Sequence, residues 1–111
     1  MSKTETAKTD RRREKRVVAP LPVKVRDRSG SLDPAAQTRD VSTNGVFLYT
    51  QSRMVEGSEV ELVLMLPEEL TSGKKCWVCC HAQVLRVEGD GKDFGVAAEI
   101  RRIDVLPEIP L

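Results

Sequence analysis

Between Glu59 and Leu66 every second residue is aliphatic: Val60, Leu62, Leu64 and Leu66 alternate with Glu59, Glu61, Val63 and Met65, and Pro67 stops the run. A period of two sends alternate side chains to opposite faces, so this segment reads as a strand with one face in a core. The pattern recurs at Leu21, Val23 and Val25, and at Phe94, Val96, Ala98 and Ile100. Val46-Phe47-Leu48-Tyr49-Thr50 is rich in β-favouring residues, and Cys76 to Val87 is a long run of the same kind. A further strand is expected over roughly 35–41. Turn signals lie between the runs: Arg28-Ser29-Gly30-Ser31, Glu56-Gly57 and Glu88-Gly89-Asp90-Gly91-Lys92, with a surface loop over 67–75. Pro20 and Pro22 confine the start of the first strand to an edge or an extended entry. Six such strands predict an all-β antiparallel barrel or sandwich rather than βαβ units. No segment holds a helical period over ten residues. The tail from Arg101 contains Pro107 and Pro110, which allows a helical turn or two at most.

At 111 residues the chain is the size of one domain with a modest core. The net charge of +1 does not suggest a bulk nucleic-acid binder, but the charge is unevenly spread. Residues 1–16 hold seven Lys and Arg against three Asp and Glu, so a basic arm precedes a mildly acidic body. Residues 1–10 offer almost nothing to bury and are expected to be disordered without a partner. The barrel domain is expected over 11–104 and a short tail over 105–111. The N-terminal segment has no apolar stretch of the secretory kind, and no run approaches membrane-spanning length. Three cysteines within five residues, Cys76, Cys79 and Cys80, are no disulfide framework. A cytoplasmic protein is expected, with no membrane and no nucleic-acid partner.

Two short motifs carry chemistry. Arg11-Arg12-Arg13-Glu14-Lys15-Arg16 crowds five basic residues just before the first strand. Asp40-Val41-Ser42-Thr43-Asn44-Gly45 is a polar turn ending in glycine. Arginine donates paired hydrogen bonds to a phosphate or to the O6/N7 edge of guanine, and it stacks on ring faces. Aspartate can accept the N–H donors on the other guanine edge. The pair suits a ligand with both phosphate and purine.

With these residues in place the chain resembles the PilZ domain family, bacterial receptors for cyclic di-GMP. Arg12-Arg13-Glu14-Lys15-Arg16 is similar to the family's R-x-x-x-R motif, and Asp40 to Gly45 is similar to its D/N-x-S-x-x-G motif. The closing strand Phe94–Ile100 looks alike too, and the likeness spans about residues 10–103. It implies a six-stranded antiparallel β-barrel with little or no C-terminal helix, and a cyclic di-GMP receptor that is not an enzyme and needs no cofactor. It implies that Arg12, Arg16, Asp40, Ser42 and Gly45 bind the ligand. Arg12 and Arg16 would address phosphate and the Hoogsteen edge of guanine, and Asp40 the N1/N2 side. Ser42 would add a hydroxyl contact, and Gly45 would let the backbone turn and approach. Arg11, Arg13, Asn44 and Arg86 are auxiliary candidates. Signalling would pass to a protein partner by rearrangement of the arm. The alternative is a PilZ-like interaction domain of pilus or motility systems that does not bind nucleotide. Two departures stand out. Val46 occupies a position where members often carry a second glycine, and the chain lacks room for the C-terminal helix that many members have.

Cys76-Trp77-Val78-Cys79-Cys80-His81 resembles a metal or haem site in composition. On a strand, however, Cys76 and Cys80 face one side while Cys79 and His81 face the other, so these four are not expected to converge on an ion. No metal site is therefore expected. Trp77 reads as a packing aromatic on the barrel surface. No Ser–His–Asp set and no carboxylate pair is placed for catalysis, and His81 has no clear nucleophile to activate.

Overall fold

The computed structural model describes residues 15–27, 30, 32–89 and 93–107. The basic residues 11–13 and the segment expected to be disordered, 1–10, lie outside these, as does the end of the tail.

The described chain forms seven strands and one short 3-10 turn at Glu68–Leu70. The strands are β1 (Val17–Val18), β2 (Pro22–Asp27), β3 (Leu32–Val41), β4 (Gly45–Thr50), β5 (Glu59–Leu66), β6 (Cys76–Glu88) and β7 (Phe94–Val105). All pair antiparallel, in the order β1-β3-β2-β5-β6-β7-β4. A further pairing of β4 with β3 closes strands β2 to β7 into a six-stranded barrel. The expected all-β antiparallel barrel is the observed fold, with one strand more.

The lumen is filled by the residues that the alternation places there. Val23, Val25, Leu48, Leu62, Leu64, Val78, Val84 and Val96 are all buried to within 1%. Each such side chain contributes about 1.5–3 kcal/mol on burial, which fixes the register because a one-residue slip would turn the whole set outwards. The buried Asp33 accepts hydrogen bonds from the Thr50 hydroxyl and from the Gln51 N–H.

Three elements differ from the sequence expectation. β3 begins at Leu32 rather than near 35 and runs through Pro34. Its pairing with β2 is irregular there, with Val23 opposite Ala36 and Val25 opposite Asp33, and a bulge is where a strand tolerates a residue without an N–H. β7 continues past Ile100 to Val105 because β6 is long enough to pair with it, Val78 opposite Val105 and His81 opposite Arg102. β1 lacks any period of its own. Val17 and Val18 pair with Val41 and Asp40, and Thr38 fastens the link that follows by donating to Ala19 O (2.6 Å) and accepting from Leu21 N (3.0 Å).

Candidate ligand-binding site

The turn joining β3 to β4 is organised around Ser42. Its hydroxyl accepts hydrogen bonds from the N–H groups of Asn44 (3.1 Å) and Gly45 (3.2 Å), and Ser42 N–H donates to Gly45 O at 2.9 Å. Arg16 Nη1 donates to the same hydroxyl at 3.1 Å. The side chain is fully buried. Ser42 was expected to offer a hydroxyl to a ligand. The structure engages that hydroxyl within the turn, because a short connection leaves N–H groups that no strand partner can satisfy.

Gly45 does not adopt the left-handed conformation that occurs at Gly30, Gly57, Gly73 and Gly89. Its requirement is space. A Cβ at Gly45 would lie 3.2 Å from the Ala98 carbonyl oxygen, since Gly45 opens β4 tight against β7. Asn44, exposed at the tip, is fixed through its carbonyl, which accepts from Ile100 N at 2.9 Å.

Asp40 lies beside this turn at 7% exposure. One carboxylate oxygen accepts from Arg16 Nε (3.0 Å) and Nη2 (2.6 Å), and the other accepts from Arg39 Nε (2.7 Å). Burial by itself raises the carboxyl pKa, but the hydrogen bonds and charges of Arg39 and Arg16 outweigh it and hold Asp40 below the ordinary aspartate value. Two irregularities create the arrangement. Thr38 pairs with Leu48 and Asp40 with Phe47, so Arg39 is an inserted residue that leaves both Thr38 and Asp40 buried. The addition of β1 to β3 then brings Arg16, the residue before Val17, alongside Asp40.

On the outer wall the Arg39 guanidinium lies 3.9 Å from the centroid of the Phe47 ring, which meets Tyr49 edge-on at 5.6 Å. The ring covers Gly95, where a Cβ would stand 2.8 Å from Phe47 Cζ. A bulge on β6 supplies the opposite rim. Val84 pairs with Ala98 and Arg86 with Ala97, which leaves Leu85 extra and turns both Leu85 and Arg86 outwards. Arg86 there pairs with Glu88 at 2.9 Å.

These groups line one open concavity of about 550 Å³, which includes Arg16, Arg39, Asp40, Asn44, Gly45, Phe47, Leu85 and Arg86. The structure thus brings together five of the expected site residues, Arg16, Asp40, Asn44, Gly45 and Arg86, with Ser42 buried behind them. Arg11, Arg12 and Arg13 lie outside the described residues. The sequence reading missed Arg39 and Phe47. Arg39 was detectable as a cation next to the motif aspartate, but its stacking depends on the β3 bulge. Chemically the site offers guanidinium forks, a buried carboxylate acceptor and an aromatic face, which suits an anion joined to a planar base. A larger concavity of about 760 Å³ lies on the wall formed by β2, β5, β6 and β7 and contains none of the motif residues.

Cys80 is buried and Cys76 packs against the core, while Cys79 and His81 face outwards. That is the split the alternation predicts. No helix among the described residues is long and apolar enough to cross a membrane.

The model of the PilZ domain family matches residues 10–108. No curated protein matches the chain. Among solved structures, the chain is similar to the Bacillus subtilis inhibitor of motility MotI/DgrA, with a TM-score of 0.63 and 19% identity over 82% of this chain and 43% of that one. It therefore spans less than half of that protein. It is also similar to the PilZ domain of CeSA from a cellulose-synthesizing bacterium, with a TM-score of 0.50 and 17% identity over 79% of this chain and 81% of that one.

Proposed function

The chain belongs to the PilZ domain family, a family of cyclic di-GMP receptors, and from that premise we propose that it is itself a receptor that binds cyclic di-GMP at the turn between β3 and β4. The observation that carries this reading is the convergence of Arg16, Asp40, Asn44, Gly45 and Arg86 on one concavity from widely separated parts of the sequence.

Binding proceeds as an exchange of partners. Without ligand, Asp40 takes both Nε and Nη2 of Arg16. A phosphate offers that guanidinium an anion of better matched geometry, and Arg12, four positions earlier, joins it. The carboxylate oxygen so released faces the N1–H and N2–H donors of a guanine, while Arg39 continues to hold the other oxygen. Charge-assisted hydrogen bonds are traded rather than lost, and the net affinity depends on the ordering of the arm. The output follows from the same exchange. β1 is two residues long and hangs on β3 beside Asp40, so moving Arg16 moves the arm and changes the surface offered to a downstream protein. No chemical step is part of this function. The chain acts in the cytoplasm, without a nucleic-acid or membrane partner.

Isothermal calorimetry with cyclic di-GMP tests the reading and yields the stoichiometry. Arg12→Ala and Arg16→Ala are each expected to weaken binding by at least ~1.5 kcal/mol, the scale of a lost charge-assisted hydrogen bond, or about tenfold. If both variants bind as the parent does, the clamp is misassigned. If the folded parent gives no heat with the ligand, the domain works through protein contacts alone.

A further inference from the structure

The outer wall of the barrel carries a second cluster on the side away from the motif turn. Glu61 of β5 pairs across the sheet with His81 of β6, and Cys79 of β6 pairs with Asp104 of β7. All four side chains therefore leave the wall on the same face. One donor atom each from Glu61, Cys79 and His81 lies within 4.8 Å of the other two. The imidazole stands between its neighbours: Nδ1 is 3.7 Å from Glu61 Oε2, and Nε2 is 2.9 Å from Asp104 Oδ2 and 3.9 Å from Cys79 Sγ.

We propose that Glu61, Cys79 and His81 form a binding site for a thiophilic divalent cation, zinc in the first instance, with Asp104 as the carboxylate that holds the imidazole. The expectation of no metal considered Cys76, Cys79, Cys80 and His81, which divide between two faces of one strand. The cluster escapes that argument because its members come from three neighbouring strands in register. Thiolate, imidazole and carboxylate together are a donor set suited to zinc, with one position left for water. A carboxylate bonded to a ligating histidine fixes the ring and raises its basicity.

The surrounding charges fit a cation that replaces existing partners. Arg26 now bonds Glu61, and Arg102 bonds Asp104 and approaches His81. Both arginines are more than half exposed and can turn to solvent. Burial first, then the charges of Glu61 and Asp104, raise the Cys79 thiol pKa. A metal ion removes that penalty by lying among the three anions. Cys80 cannot substitute, because burial pushes its thiol up to about 12 and the side chain faces the core.

The test uses the full chain stripped with a chelator and then titrated separately with Co²⁺ and Zn²⁺, the latter against a chromophoric competitor. The expected result is one ion per chain, with a sulfur-to-cobalt charge-transfer band for the cobalt form. Cys79→Ser should abolish the band, and His81→Gln should weaken zinc binding at least about 100-fold. Asp104→Asn should weaken it by about 10- to 100-fold, as loss of an orienting partner does. Cys76→Ser should bind as the parent does. Cys79, His81 and Asp104 lie on the outer wall while Cys76 packs against the core, and melting curves establish that each variant is folded. The proposal is overturned if the parent binds less than one equivalent under competition, or if the band survives in Cys79→Ser.

Discussion

Replacing Ser42 by alanine removes the acceptor on which the motif turn is built. The hydroxyl receives Asn44 N, Gly45 N and Arg16 Nη1 at 3.1–3.2 Å, and the residue is fully buried. Alanine leaves the N–H groups of Asn44 and Gly45 without this partner in a part-buried turn, where the N–H of the exposed Asn44 is the better placed of the two to turn to water. A buried donor left unsatisfied costs about 1–3 kcal/mol. The two share one acceptor and the turn can relax, so a total near 2 kcal/mol is expected rather than double the single cost. The guanidinium adds little because it keeps Asp40. For a domain of this size, each kcal/mol lowers the melting temperature by roughly 4–8 °C. Ser42→Ala should therefore melt about 8–16 °C below the parent, measured by circular dichroism without ligand. Arg16→Ala is the comparison. Its side chain is 38% exposed and Arg39 still holds Asp40, so its cost to stability should stay within ~1 kcal/mol. A Ser42→Ala barrel that melts with the parent would refute the claim that the hydroxyl organises the turn.

Asp40→Ala should weaken cyclic di-GMP binding strongly and reduce the preference over cyclic di-AMP, because adenine lacks the N1–H and N2 donors that a carboxylate reads. Competition between the two dinucleotides checks this, and an unchanged preference would place recognition elsewhere. The lowered pKa of Asp40 also has a defined consequence for acid stability. Its contribution is present above the ordinary value of 3.8 and is lost as pH falls through the lower folded-state value. An Asp40→Asn protein should accordingly show a flatter decline below about pH 4 in urea titrations at stepped pH. Gly95→Ala should displace Phe47 from the wall, since the new Cβ would stand 2.8 Å from the ring. A loss of about 1–3 kcal/mol in urea unfolding is expected, and a variant as stable as the parent would show that the ring moves freely.

The strands that make the barrel were legible because each buries one face, and burial writes itself into the sequence at period two. Glu59–Leu66 is the clearest case, and its boundaries are those of β5. The two motifs were legible for a different reason. Arginines before a strand and a D-x-S-x-x-G turn are local arrangements, and residues 42–44 form the connection between β3, which ends with Asp40 and Val41, and β4, which Gly45 opens. What the sequence could not contain is the consequence of pairing. β1 is too short to show a period, with Val17 against the core and Val18 exposed, and it is strand because β3 offers it an edge at Val41 and Asp40. The last residues of β7 are mostly exposed, so no apolar period marks them, and they are strand because β6 extends alongside. The inserted residues Arg39 and Leu85 depend on how opposite strands count against each other, a relation between distant segments. Those bulges decide that Asp40 is buried between two guanidiniums and that Arg86 turns to the same concavity. The chain alone therefore determined the six strands of the barrel and where the polar turn lies. Tertiary pairing decided which residues meet, because hydrogen-bond register is set between strands and not within one.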